Sequence, residues 1–270
     1  MSISRRLENA RAAFDKKNQK ASAALHELAV IRKDAEERHG SESSKYIGNM
    51  VFGGLDGIMT TFAVVSGVAG AQLNPAIIII MGLANLFGDG FSMGLGAFLS
   101  RKSEKEYYDH EYEREAWELA NYPEGERQEL LEIYLKQGYP PADAQKIVDV
   151  KTANKELWLS AMMNEELGLM KDDSSPLGAA LTTFFSFLVT GSLPLLVYLA
   201  ALLFNFTLSA TTSFLISVVL SGVALFALGA AKYFVTRRNP FFSGFEMPIV
   251  GGCAAGVAYL VGSLLKGIVG

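Results

Sequence analysis

Two stretches of this chain, residues 46–99 and 176–270, are long and almost uninterruptedly apolar, and this constrains the fold more than any other feature. They divide into runs of roughly 20 residues, the length an α-helix needs to cross the hydrocarbon core of a bilayer. Five spans are expected, at about 46–70, 75–99, 178–204, 211–235 and 246–268. The remaining residues, 1–45 and 100–177, are charged and ordinary in polarity. The expected fold class is therefore an all-α membrane protein. It has five transmembrane helices, with a cytoplasmic helical domain inserted between the second and third. The expected organisation is residues 1–45 as an N-terminal amphipathic cytoplasmic helix, 46–99 as spans one and two, 100–177 as the inserted domain, and 178–270 as spans three to five.

Charge sets the orientation. The links 71–74 and 205–210 carry none, whereas residues 1–45 hold ten Lys/Arg and the link after the fourth span holds Lys232, Arg237 and Arg238. Arg101 and Lys102 follow the second span directly. The positive-inside rule then places the N-terminus, the 100–177 domain and the 236–245 link in the cytoplasm, and the C-terminus outside. The opening "MSISRRLENARAAFDKK" has no apolar signal-peptide core, so the first span is expected to direct insertion. The single Cys253 lies in an apolar run, which leaves no disulfide framework and no thiolate metal site. Residues 5–38 place Leu7, Phe14, Ala21 and Leu28 at heptad-like spacing, interrupted by Lys17, and read as an amphipathic helix on a membrane surface or partner subunit. His26 and His39 are expected on its solvated face.

The inserted segment continues the second span without a breaker until Pro123. A helix then runs from Pro123 to Gly138, a third covers roughly 141–151, and a fourth runs from the N-cap Asn154 to Gly168. Residues 101–173 hold 18 Asp/Glu against 10 Lys/Arg, and residues 1–45 hold 7 acids against 10 bases. Of the 28 acids in the chain, only Asp56, Asp89 and Glu246 remain for the membrane. Acids at that depth are costly and usually face a pathway or a partner, so each of the three is informative.

Asp56 lies in "FGGLDG" and Asp89 in "LFGDGFSMGLG". The pairs Gly53/Gly57 and Gly90/Gly94 have the small-xxx-small spacing that lets helices approach closely, in this subunit or against a second one. A pathway role for Asp56 and Asp89 competes with satisfaction of both carboxylates by hydroxyls such as Thr60 and Ser92. Met93, one turn after Asp89, is either packing or a soft ligand beside a carboxylate. Glu246 reads as structural, within reach of interfacial water or Arg237 and Arg238. In the insert, Glu115/Glu118 and Glu126/Glu129 are three apart and share a helix face, and Met162 and Met163 precede Glu166 by one turn. Carboxylates with a few thioethers and no cysteine suit Fe²⁺ or Mn²⁺ better than zinc, but a solvated acidic surface over a Met-rich core has the same spacing. The Glu-x-x-His repeats of di-iron bundles are missing, which counts against an iron oxidase. "GLGAF" and "GGLDG" match no phosphate-cradling loop, so no ATP-driven mechanism is visible.

At these residues the chain resembles the vacuolar iron transporter family. The matching stretches are "FGGLDGIMTTFAVVSGVAGA", "GLANLFGDGFSMGLGAFLSRKSEKEYY", "EREAWEL", "PEGERQELLEIY" and "LWLSAMMNEELGL", which cover about 45–268 in order. The resemblance implies a homodimer of five-span subunits with the pathway between them, exchanging Fe²⁺ or another divalent metal (Mn²⁺, Co²⁺, Zn²⁺) for protons, without a prosthetic group. By motif, Asp56 and Met93 correspond to the pathway acid and thioether. Glu115, Glu118, Glu126, Glu129, Met162, Met163 and Glu166 fall on the family's cytoplasmic metal-binding positions. One position departs: Asn85 stands where plant and fungal members have a glutamate, and Asp89, one turn later, is the candidate to replace it.

These readings converge on a non-enzymatic, proton-coupled exporter of divalent metal, with the bilayer, protons and metal ions as partners and no nucleic acid. The rivals are a membrane-anchored metal sensor or buffer, an oxidase, and a scaffold that binds no metal. The Asn85/Asp89 pattern and the lack of a sorting signal favour a bacterial inner membrane over a vacuole.

Overall fold

The structure, a computed structural model, describes residues 5–27, 45–231 and 239–269. Among these residues it is built from helices and the turns between them, with no strand. The helices are α1 (Arg5–Asp15), α2 (Gln19–Ala24), α3 (Ile47–Gly70), α4 (Pro75–Asn121), α5 (Pro123–Lys136), α6 (Pro141–Thr152), α7 (Lys155–Ala161), α8 (Pro176–Gly191), α9 (Leu196–Leu203), α10 (Ala210–Ala231) and α11 (Pro240–Val269). Contacts group them into two compact units, Met1–Ala97 with Leu177–Gly270, and Phe98–Pro176.

Five stretches of helix among the described residues are long and apolar enough to cross a membrane: Ile47–Gly70, Pro75–Asn121, Pro176–Leu203, Ala210–Ala231 and Pro240–Gly267. A helix is suited to that setting because it satisfies its own backbone polar groups where no water can. The expected span number and order hold, and the ends differ for local reasons. The fifth helix starts at Pro240 rather than near 246, because Asn239 Oδ1 accepts from the Phe241 amide at 2.9 Å and Pro240 fits the first helical position. Inside the third span Pro194 forces a 3₁₀ turn over Leu193–Leu195. There the buried Ser217 hydroxyl of α10 donates to the Pro194 carbonyl at 2.7 Å.

Helix α3 is the inner one: half of its apolar stretch is buried, against 11–33% for the other four. It approaches α8 so closely that a Cβ on Gly53 or Gly57 would collide with the carbonyl oxygen of Thr183 or Phe187. Three side chains tie the two helices together: Asn49 Nδ2 donates to Thr183 Oγ1 (3.2 Å), Ser186 Oγ to the Met50 carbonyl (2.6 Å), and Thr190 Oγ1 to the Gly54 carbonyl (2.7 Å). Val65, Val68, Ile78, Leu195, Val197 and Tyr198 form a core from α3, α4, the 3₁₀ turn and α9.

The expected continuous helix over residues 5–38 is not observed within the described part. It breaks after Asp15: Lys17 takes a left-handed φ of +48°, and Asn18 turns extended to cap α2, its side chain accepting from the Ala21 amide at 3.1 Å. An asparagine beside two lysines offers the backbone a cap in place of another helical turn. The His26 ring is exposed, within 2.8 Å of the Ser22 carbonyl, as expected of a solvated face. His39 and the rest of 28–44 lie outside the described residues, as do Lys232, Arg237 and Arg238.

In the unit Phe98–Pro176, the C-terminal half of α4 packs with α5, α6 and α7. The core is Leu119, Leu130, Tyr134, Ala144, Val148, Leu159, Ala161 and Met162. Gly138, at φ +95°, ends α5 in the left-handed conformation that a side chain would strain. Asn154 caps α7 by accepting from the Glu156 and Leu157 amides. The expected single helix from Asn154 to Gly168 is instead α7 followed by a π-helical turn, Met162–Glu166. The Leu167 amide reaches back five residues to the Met162 carbonyl (3.2 Å), and Gly168 closes the turn at φ +66°. Such single π turns recur at functional sites.

Candidate metal centre

Five glutamates from three elements of the unit Phe98–Pro176 come together. Carboxylate oxygens of Glu115, Glu118 and Glu126 lie within 4.8 Å of one another, as do those of Glu126, Glu129 and Glu166. Glu126 belongs to both groups and joins them. Glu115 and Glu118 come from α4, Glu126 and Glu129 from α5, and Glu166 from the end of the π turn. Glu115 is 1% exposed and Glu126 5%, and each keeps one buried carboxylate oxygen with no hydrogen-bond partner. Buried acceptors left unsatisfied are expensive, and an arriving cation would relieve them.

The electrostatics follow from that crowding. Burial, then the neighbouring carboxylates of Glu115 and Glu129, push Glu126 up from the ordinary 4.5 to about 7. Partial desolvation of its carboxyl, again followed by Glu115 and Glu129, takes Glu166 to about 7 as well. Burial also raises Glu115, against the pull of Arg114. That arginine offsets three acids at once: its Nε meets Glu111 Oε2 at 2.8 Å, its Nη2 meets Glu115 Oε1 at 2.5 Å, and its Nη1 pairs with Glu118 Oε2. The hydrogen bond from Arg114 draws Glu111 below the usual carboxylate range. Sequence reasoning missed Arg114, although its spacing from Glu111 and Glu118 (three before, four after) was a visible signal. Nearby, Lys151 of α6 pairs with Glu165 of the π turn.

The two methionines separate. Met162 is fully buried and packs in the apolar core with Leu119, Leu130 and Val148, which is the plain structural role. Met163 is equally buried but lies outside that core group.

Among the apolar helices, Asp56 on α3 and Asp89 on α4 are half-buried and near enough for their charges to interact. Asn85 donates from Nδ2 to Asp89 Oδ2, while its own Oδ1 is buried without a partner. Met93, a turn further along α4, is half-buried. Thr60 spends its hydroxyl on the Asp56 carbonyl (2.8 Å), one turn back on its own helix, rather than on a carboxylate. Glu246 is exposed on the second turn of α11, near the start of that helix.

Five spanning-length apolar helices carrying so few acids define an α-helical integral membrane protein. The chain belongs to the VIT family, whose profile matches residues 47–263. It is 41% identical to a vacuolar iron transporter of Toxoplasma gondii over 98% of this chain and 90% of that one. It is 35% identical to a vacuolar iron transporter of Plasmodium falciparum (90% of this chain, 94% of that one). It is 32% identical to vacuolar iron transporter 1 of Arabidopsis thaliana (85% and 90%). These relatives are named as transporters, not enzymes. All three are eukaryotic and named for a vacuole, so a bacterial inner membrane gains no support from them.

Proposed function

We propose that this protein exports divalent metal from the cytoplasm, Fe²⁺ first and Mn²⁺ second, in exchange for protons. The carboxylate cluster of α4, α5 and the π turn carries this reading. Its five glutamates, two of them buried with free oxygens, offer the hard ligand set that a hydrated divalent cation exchanges its water for. The names of the relatives support iron as the cargo. Glu115, Glu118, Glu126, Glu129 and Glu166 collect the ion from the cytoplasm, with Met163 the more available of the two thioethers. Asp56 and Asp89 then take it within the membrane, aided by the Asn85 carbonyl oxygen and Met93. Asp56 holds either a proton or the metal, and that exclusivity couples the two fluxes. Two such subunits pair along the pathway. The N-terminus and residues 100–177 face the cytoplasm and the C-terminus faces the other side, a reading supported by the distribution of Lys and Arg.

Inside-out vesicles holding the purified protein test this. Fe²⁺ uptake should rise when the lumen is made acidic and fall when the gradient is collapsed. Uptake indifferent to the gradient would remove proton coupling. Binding without any uptake would leave a sensor or buffer instead.

A further inference from the structure

Arg114 stands apart from the other cations of the unit Phe98–Pro176. Its guanidinium donates to three carboxylates in succession along one face of α4, Glu111, Glu115 and Glu118. Two of those are in the cluster assigned above to metal capture, and the third is one turn outside it. Glu115 uses Oε1 on the arginine, while its Oε2 is buried and unpartnered. A cation drawing Glu115 and Glu118 together with Glu126, whose oxygens are within 4.8 Å, takes carboxylates that the guanidinium already holds, even where it enters at the free Oε2 of Glu115, so the two cations compete for the same negative charge.

Resting on that capture reading, we propose that Arg114 is a built-in competitor of the metal. Its guanidinium and the divalent cation claim the same two carboxylates, Glu115 and Glu118, and metal entry turns the Nη groups away while Nε stays on Glu111. The geometry gives the displaced group somewhere to go. The Nε–Glu111 contact at 2.8 Å lies on the outer side of the fork, and the Arg114 side chain is 37% exposed, so its Nη groups can turn to water while Nε stays anchored. No bond is made or broken in the exchange: one cation leaves two carboxylates as another arrives. The consequence is a metal-free cluster whose negative charge is partly offset before any ion arrives. Metal affinity is thereby held low enough for the ion to be passed on. An arginine that only oriented Glu115 and Glu118 for the metal would act in the opposite sense.

Anaerobic calorimetry of Fe²⁺ binding to the full chain in detergent separates these. Arg114→Lys keeps the positive charge but loses the two-pronged fork, and should tighten Fe²⁺ binding on the order of tenfold. Arg114→Gln should tighten it further. Glu111→Gln removes the parking contact, which is the only carboxylate pairing left to the guanidinium once its Nη groups turn away, so it should weaken binding several-fold in the native background and have little effect beside Arg114→Gln. Unchanged or weaker binding in Arg114→Lys would overturn the proposal, leaving Arg114 as a through-space charge or a positioning residue. Equal effects of Glu111→Gln in both backgrounds would overturn the parking role. If the unsubstituted chain bound no Fe²⁺, the capture reading itself would fall.

Discussion

In the unit Phe98–Pro176, five glutamates converge; one arginine offsets two of them, and burial with mutual repulsion raises Glu126 and Glu166 to about 7. Among the membrane-length helices, two aspartates stand nearly alone, with one amide and each other for company. The first arrangement is rich in charge and adjustable, since adding a proton or a cation relieves repulsion already present. The second is poor in charge and intolerant, since each acid there is costly and little else surrounds it. If, as proposed, the glutamates gather ions and the aspartates pass them, the first site should tolerate the loss of one ligand and the second should not.

That contrast is sharpest at Asp56. Asp56→Ala should reduce Fe²⁺ transport in reconstituted vesicles to background, while calorimetric Fe²⁺ binding by the glutamate cluster persists. Transport surviving the substitution would erase the distinction between the two regions. Removing two ligands from the other region should hurt by degree. Glu115→Ala combined with Glu118→Ala should weaken Fe²⁺ binding on the order of a hundredfold and slow transport at low metal without abolishing it at high metal.

Acidity should act on the cluster next. Glu126 and Glu166 sit at about 7, so protons displace metal as the pH falls through that value. Affinity should drop by up to about tenfold per pH unit below it for each coupled proton. Stability runs the other way. Between 4.5 and about 7 the folded state holds these protons more tightly than the unfolded state, so stability of the metal-free chain should decline as pH rises across that window. Thermal unfolding with and without Fe²⁺ at pH 5.5 and 7.5 checks the sign: metal should stabilise more at the higher pH. The smallest effect belongs to the helix packing that holds Asp56. Thr190→Val removes a hydroxyl that ties α8 to the Gly54 carbonyl and should cost about 1 kcal/mol in detergent unfolding, with Fe²⁺ binding to the cluster unchanged.

Much of this was legible in the residues. The order and number of spans follow from apolar length, and the isolation of Asp56 and Asp89 from counting charges. The pairs Glu115/Glu118 and Glu126/Glu129 follow from helical spacing. The errors lay where a local choice overrode a periodic pattern. Lys17 and Asn18 ended a helix that heptad spacing carried to residue 38, Asn239 and Pro240 started the last span early, and the Met162–Glu166 segment gained a π turn. Spacing also could not assign Met162, since a thioether in an apolar core and one facing a metal repeat at the same interval.

The sequence by itself determined which segments can cross a bilayer and which helix face each acid occupies, because both depend on length and periodicity within one element. Only the tertiary structure decided that Glu115, Glu126 and Glu166 meet, since they come from α4, α5 and the π turn, and no spacing within one helix reports on the approach of another. The contacts of Arg114 with Glu115 and Glu118, and of Asn85 with Asp89, lie within α4 and were open to helical spacing; the structure shows that these rotamers are the ones taken. A one-dimensional pattern records the face a side chain takes on its own helix, but its partners come from packing between helices distant in the chain.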